Sequence, residues 1–350
     1  MGTIAVALCG AGYWGKNLFR VLSQNAGFRL KYVIDRRPEA LDALRIRDSG
    51  LAVNTDPAIA LNDPEVEALV IATPAATHHD LARRALERGK HVLVEKPMCA
   101  SADQAADLVA RAEAAGLVLM VDHTFLFHPA VVHLKSLIGA GSLGHVSYFD
   151  SQRTNLGLFQ PDVNVLWDLA PHDLSILDHL FGEEPTQVDA SGYCHFDPDM
   201  ADIAYVTLHY PSSMVAHLNL SWMSPVKQRR IAVGGSARMA VWDDLDRNEP
   251  LKLFDSGVTW LPQSKRDTIL ASYRVGDVSS PRLGDAEPLA AVAEHFRRVL
   301  VGRERPKADG RHGLRVLRTL ERAQSALDEN LGRVRRLRAQ AHQSSLVAAE

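Results

Sequence analysis

The sequence predicts an α/β chain in two parts, a doubly wound parallel sheet followed by an α+β region with an open, mostly antiparallel sheet. Three observations carry this. Short apolar runs alternate with helical-period segments through the first third, a glycine-rich loop follows the first run, and beyond about residue 122 the period changes to two.

Residues 3–9, 30–34, 68–72, 91–94 and 118–121 read as strands, because each run is brief, apolar and bounded by turn residues. Residues 15–24, 38–49, 77–88 and 101–115 between them show helical spacing. That order builds parallel strands joined by right-handed crossovers. After a helix at 129–138, residues 145–152, 187–194, 203–209, 214–222, 229–233 and 238–243 alternate as half-buried antiparallel strands do. Helices at 287–301 and 313–330 follow, then a tail rich first in arginine (Arg333, Arg335, Arg336, Arg338) and later in Gln, Ser and Ala, expected to be a solvated, fraying helix. The division expected is 1–122, 123–330 and a tail of 331–350.

A length of 350 residues allows two cores, and 46% hydrophobic with 23% charged residues is the balance of an ordinary globular protein. A net charge of −3 gives no general reason to bind nucleic acid or an anionic membrane. The start runs into a strand without a signal-peptide pattern, and no apolar run approaches the roughly 20 residues that span a bilayer, so a cytoplasmic location is expected. Cys9, Cys99 and Cys194 are odd in number and lack a CxxC pair, which argues for reduced thiols. His123, His128 and His133 have no carboxylate at ligand spacing, so no metal is expected.

The loop Gly10-Ala11-Gly12-Tyr13-Trp14-Gly15 closes the first strand and opens the first helix. In that context the glycines permit a tight turn, close approach of backbone to a pyrophosphate and tight helix packing, the pattern of a Rossmann dinucleotide site. Asp35 ends the second strand 20 residues beyond Gly15, where a carboxylate accepts from the ribose hydroxyls and repels a 2′-phosphate. This favours NAD over NADP. Arg36 and Arg37 pull the other way, since a guanidinium there could stack on adenine or accept a 2′-phosphate.

Two further strand ends carry polar groups: Thr73-Pro74-Ala75-Ala76-Thr77-His78, and Glu95-Lys96-Pro97 after an apolar strand. With Trp167-Asp168-Leu169-Ala170-Pro171-His172-Asp173 and the glycine loop, they resemble the Gfo/Idh/MocA family, named for glucose-fructose oxidoreductase and inositol dehydrogenase. The resemblance spans nearly the whole chain. It implies that Lys96 contacts substrate and nicotinamide ribose, that His172 is the general acid/base, and that Asp168 helps to hold substrate and imidazole. Thr73, Pro74, His78 and Glu95 would line the cofactor. Leu169-Ala170-Pro171 replaces the glycine-rich version of the motif, and Pro171 is expected in the first turn of a helix, which leaves Asp168 ahead of it.

Removing hydride from a carbinol requires loss of the hydroxyl proton, which suits an imidazole, and an ammonium stabilises the developing alkoxide. The resemblance implies sugar-like substrates. The segments 123–129 and 153–167 look similar to members that oxidise ring C3 of nucleotide-linked amino sugars or uronates, with His123, Arg153, Asn155, Asn164 and Trp167 joining Lys96, Asp168 and His172 around substrate. Arg153 serves equally well as a carboxylate or phosphate ligand or as a strand-end ion pair. The alternatives are a dehydrogenase of a free sugar or cyclitol such as inositol, an NAD-dependent glycosidase, or a non-catalytic NAD-binding protein. An open sheet face further predicts a homodimer or homotetramer.

Overall fold

The structure, a computed structural model, describes residues 3–45, 51–157, 159, 163–260 and 271–347. The backbone forms two compact units, Met1–Pro129 with Asp285–Arg318, and Ala130–Gly284 with Thr319–Glu350.

In the first unit, β1 (Ile4–Cys9), α1 (Tyr13–Gln24), β2 (Phe28–Ile34), α2 (Pro38–Arg45), β3 (Ala52–Asn54), α3 (Ala58–Leu61), β4 (Ala68–Ile71), α4 (His78–Glu87), β5 (His91–Glu95), α5 (Ala102–Ala115) and β6 (Leu119–Asp122) follow in order. All six strands are parallel, in the order β3-β2-β1-β4-β5-β6. Every residue of β1 and β4 is buried, as expected of strands covered on both faces. The order reverses between β1 and β4, and the crevice outside their carboxyl ends is where such sheets bind ligands. β3 and α3 were not foreseen, and the end of the helix expected at 38–49 lies outside the described residues beyond Arg45.

The second unit contains α6 (Pro129–Gly139), whose first residue counts with the first unit, then β7 (Val146–Leu156), α7 (Val165–Phe181), β8 (Gln187–Tyr193), β9 (Ile203–His209), β10 (Val215–Ser221), β11 (Met223–Gly235), β12 (Met239–Asp243), β13 (Leu251–Phe254), β14 (Gly257–Trp260), β15 (Ala271–Arg274) and β16 (Val278–Ser279). Eight strands form one sheet in the order β16-β13-β12-β11-β7-β10-β9-β8, antiparallel throughout except for the parallel pair β7 and β10. On one face Phe149, Ala204, Val206, Leu208, Leu218, Ile231 and Val233 are buried. On the opposite face Tyr148 and Tyr205 stay well exposed. β11 is far longer than the 229–233 expected, because its first half carries exposed polar residues that hide the apolar alternation.

Asn164 caps α7, its side-chain oxygen accepting from the Trp167 N–H at 3.1 Å, and Gly182 ends it in the left-handed region at φ 68°. The expectation that Pro171 opens this helix is therefore corrected: α7 starts at Val165 and Pro171 lies inside it. A proline there costs about 3 kcal/mol through the lost backbone bond and ring crowding. Burial of Val165, Leu166, Leu174, Ile176, Leu177 and Leu180, at about 1.5 to 3 kcal/mol each, outweighs that cost several-fold.

Two helices close the chain. α8 (Pro288–Leu300) belongs to the first unit, where Phe296 lies 6.3 Å from the Phe28 ring and Glu294 accepts from Asn25 at 3.1 Å. α9 (Gly310–Val347) begins earlier and runs further than the expected 313–330; residues 348–350 of the tail lie outside the described residues.

Candidate active site

The first unit holds a cavity of about 800 Å³ at its sheet switch point, lined by Gly10, Gly12, Trp14, Asp35, Arg36, Arg37, Thr73, Pro74, Glu95 and Lys96. Gly10 turns the chain out of β1 at φ +102°, and a side-chain carbon there would overlap the Ala72 carbonyl. A side chain at Gly15 would overlap the Gly10 carbonyl, so α1 sits close on the strand. Gly12 precedes α1 without a side-chain cap, which leaves backbone N–H groups of the first turn to be met by an anion. Tyr13 and Trp14 pack edge to face at 5.8 Å, with Tyr13 81% exposed.

Asp35 receives the Ala11 N–H at 2.7 Å, the Arg37 N–H at 2.9 Å and the Arg37 guanidinium at 3.1 and 3.2 Å. Partial burial by itself would raise its pKa, but the guanidinium and the two backbone donors outweigh that and hold the carboxyl below its usual value. An ionised carboxylate at the end of β2 is the group that a ribose diol requires. The glycine cradle, the open helix terminus and this acid together fit a dinucleotide. The partner of Asp35 is Arg37, while Arg36 joins it in the cavity wall.

His78 does not line the cavity. It is buried behind the wall, its ring nitrogens 2.9 Å from the Pro97 carbonyl and 2.7 Å from that of Thr73, so it ties the loop after β4 to the loop after β5. Burial lowers its pKa. The Lys96-Pro97 peptide is cis, and Lys96 is half-buried next to Glu95, whose Oε2 accepts the Lys96 N–H at 3.2 Å. His123 is buried with its ring 5.2 Å from that of His312. Thr55, Asp80 and Arg84 also line the cavity, and nothing in the spacing of the sequence marked them: Thr55 follows the unforeseen β3, and the other two share one face of α4.

In the second unit, Asp168 and His172 lie four residues apart on α7 and therefore share a face one turn apart. Asp168 Oδ2 accepts from the buried Trp222 indole N–H at 3.1 Å. The His172 carbonyl accepts from the Ser175 hydroxyl at 2.8 Å. Trp222 carries no sign of this role in the sequence, since 54 residues separate it from Asp168. Arg153 makes a bidentate pair with Asp173 at 2.8 and 3.2 Å, with side chains 6% and 0% exposed. That buried pair fixes the residue after His172 to β7, the ion-pair role that the sequence left open. Asn164 is occupied in capping α7 and in donating to Gln324 at 2.9 Å. Asn155 and Trp167 are half-buried. Leu158 and residues 160–162 of the polar segment expected near substrate lie outside the described residues.

The pattern of the oxidoreductase family with an NAD-binding Rossmann fold matches residues 4–123, and that of the GFO/IDH/MocA C-terminal domain matches residues 131–241. UDP-N-acetylglucosamine 3-dehydrogenase of Acidithiobacillus ferrooxidans is 30% identical over 272 residues, which cover 77% of this chain and 81% of that protein. The solved structure of that dehydrogenase, GnnA, superposes with a TM-score of 0.80 at 25% identity, over 95% of this chain and all of the other. The uncharacterized oxidoreductase YdgJ of Escherichia coli is 31% identical over 258 residues, 70% of this chain and 73% of YdgJ. With both domain patterns in place along its length, the chain belongs to the Gfo/Idh/MocA family and is an NAD-dependent oxidoreductase.

Proposed function

We propose that this oxidoreductase transfers hydride between nicotinamide and a secondary alcohol of a sugar, at ring C3 of a nucleotide-linked amino sugar or uronate. The observation that carries the chemistry is the Asp168/His172 face of α7, with Asp168 oriented by the Trp222 indole. The substrate class follows from the likeness to a UDP-N-acetylglucosamine 3-dehydrogenase.

In this reading bound NAD supplies the hydride acceptor. His172 takes the hydroxyl proton in oxidation and returns it in reduction, while Asp168, held by Trp222, orients the imidazole and a substrate hydroxyl. Lys96 places positive charge at the developing alkoxide. His123, Asn155 and Trp167 remain candidates for contact with substrate, whereas Arg153 and Asn164 serve by placing α7. The open face with Tyr148 and Tyr205 is proposed to pair copies into a dimer or tetramer, a reading that a monomeric mass in light scattering would remove. Among the described residues no helix is long and apolar enough to cross a membrane, and the cytoplasm is the proposed location.

The test is a panel of nucleotide sugars, free sugars and cyclitols, scored by NADH formation. Turnover confined to free cyclitols would overturn the nucleotide-sugar reading, and product without net NADH would point to glycoside cleavage. On the identified substrate, His172→Ala should lower kcat by about 10² to 10⁴ and remove the acidic limb of the pH profile, leaving NAD affinity intact. Lys96→Ala should lose turnover across the pH range. Normal turnover in His172→Ala would sink the assignment of the acid/base.

A further inference from the structure

Two carboxyl groups stand side by side at the edge of the first sheet, and the scheme above uses neither as acid or base. Glu95 ends β5 and Asp122 ends β6, and the two are register partners in the parallel pair. Partners in register leave the sheet on the same face, about 5 Å apart at the backbone. Both are buried, Glu95 to 8% exposure and Asp122 to 1%. Glu95 Oε2 accepts from the Lys96 N–H at 3.2 Å, and Asp122 Oδ1 from the Thr124 hydroxyl at 2.7 Å. The remaining oxygens, Glu95 Oε1 and Asp122 Oδ2, are buried and receive no donor from the described residues.

Two adjacent buried carboxylates repel each other too strongly for both to stay ionised. One proton between them satisfies both orphaned oxygens at once. The two sides of the pair also differ, since Glu95 lines the cofactor cavity and Asp122 does not. The Thr124 hydroxyl supports charge on Asp122.

We propose that Asp122 is a positioning residue of the cofactor cavity: it holds Glu95 as a neutral acid that donates to it, so that the pair's single negative charge sits behind the cavity wall and Glu95 turns an uncharged face toward Lys96. Burial, reinforced by the Asp122 charge, pushes the Glu95 pKa well above its usual value, with Lys96 pulling weakly the other way. Burial also raises Asp122, against the pull of its hydrogen bonds with Thr124 and Glu95. The consequence concerns redox state. NAD⁺ carries one more positive charge than NADH, and an ionised Glu95 in the wall would favour the oxidised form. The inference rests on the reading of this cavity as the nicotinamide site with Lys96 as its cation.

Infrared spectra of the full-length protein without added cofactor test it directly. At neutral pH the wild type should show the carbonyl stretch of a buried protonated carboxylic acid, and isotopic labelling of glutamate carboxyl carbons should shift that band. The band should vanish in Glu95→Gln and lose intensity in Asp122→Asn. A wild type without the band, a band that ignores glutamate labelling, one that survives Glu95→Gln, or one unchanged by Asp122→Asn overturns the proposal. The labelling arm needs no variant to fold. Calorimetry with NAD⁺ and NADH supplies the second readout: Asp122→Asn, which removes the charge that reinforces burial in keeping Glu95 neutral, should shift the affinity ratio toward NAD⁺ by about three- to tenfold. An unchanged ratio overturns the role in the cavity. Failure of the catalytic scheme would look different, because active Lys96→Ala would leave the infrared band and its loss untouched.

Discussion

Two bidentate arginine–aspartate pairs among the described residues have nearly the same geometry in opposite surroundings. Arg37 and Asp35 meet at the rim of the cofactor cavity, with the guanidinium 59% and the carboxylate side chain 9% exposed. Arg153 and Asp173 meet inside the second unit, 6% and 0% exposed. At the rim water screens the charges, and the pair can be separated at little cost by a ligand that offers its own donors to Asp35. In the interior the same contact has no substitute, and breaking it leaves a bare buried charge. The difference teaches that identical chemistry stays open to a ligand in one place and fixes the fold in the other, and that burial decides which. Glu95 is a third case, a buried acid whose partner is another acid.

The largest effect should come from Arg153→Met, which strands the Asp173 carboxylate in the core. Unfolding by urea should show a loss of about 3 to 5 kcal/mol, and Arg153→Met combined with Asp173→Leu should recover most of it. Equal losses in the single and double variants would mean that packing, and not the unpaired charge, sets the cost.

An intermediate effect, dependent on pH, is expected for Glu95. Burial and Asp122 keep its proton bound to a pH well above that at which an unfolded glutamate loses it, so over that interval the folded chain holds more protons than the unfolded chain. Stability therefore falls as pH rises through the interval. Glu95→Gln should flatten this slope in Tm measured from mildly acid to neutral pH; an unchanged slope would assign it to other groups.

The smallest effect on stability belongs to Arg37→Ala, at most about 1 kcal/mol because its guanidinium is open to water and Asp35 keeps its two backbone donors. Its consequence should be read in binding. With Asp35 no longer partly neutralised, calorimetry should show a stronger preference for NAD over NADP. A swing toward NADP would mean that Arg37 had been helping Asp35 to exclude the 2′-phosphate.

Legibility in the sequence followed the same division between local and remote causes. β1, β4, β5 and β6 could be read because strands buried on both faces are continuous apolar runs, whereas β3 has three residues and none is buried. The glycine cradle and Asp35 could be placed because strand ends in such sheets face the ligand. The start of α7 carries two competing signals: Asn164 stands before Val165 and Leu166, with Asp168 in the first turn, while Pro171 mimics the proline that opens many helices. Arg153 and Asp173 are 20 residues apart, and Trp222 and Asp168 are 54, so neither pairing has a period or motif by which to find it.

The first unit is closed by residues made late in synthesis. Phe28 waits for Phe296, Met120 for its bridge to Asp309, and Val121 with Met98 for the close approach of Gly313. A ribosome must therefore translate the whole eight-stranded sheet before the cofactor-binding unit can be completed. A nascent chain that stops short of these residues leaves the apolar surfaces they cover exposed.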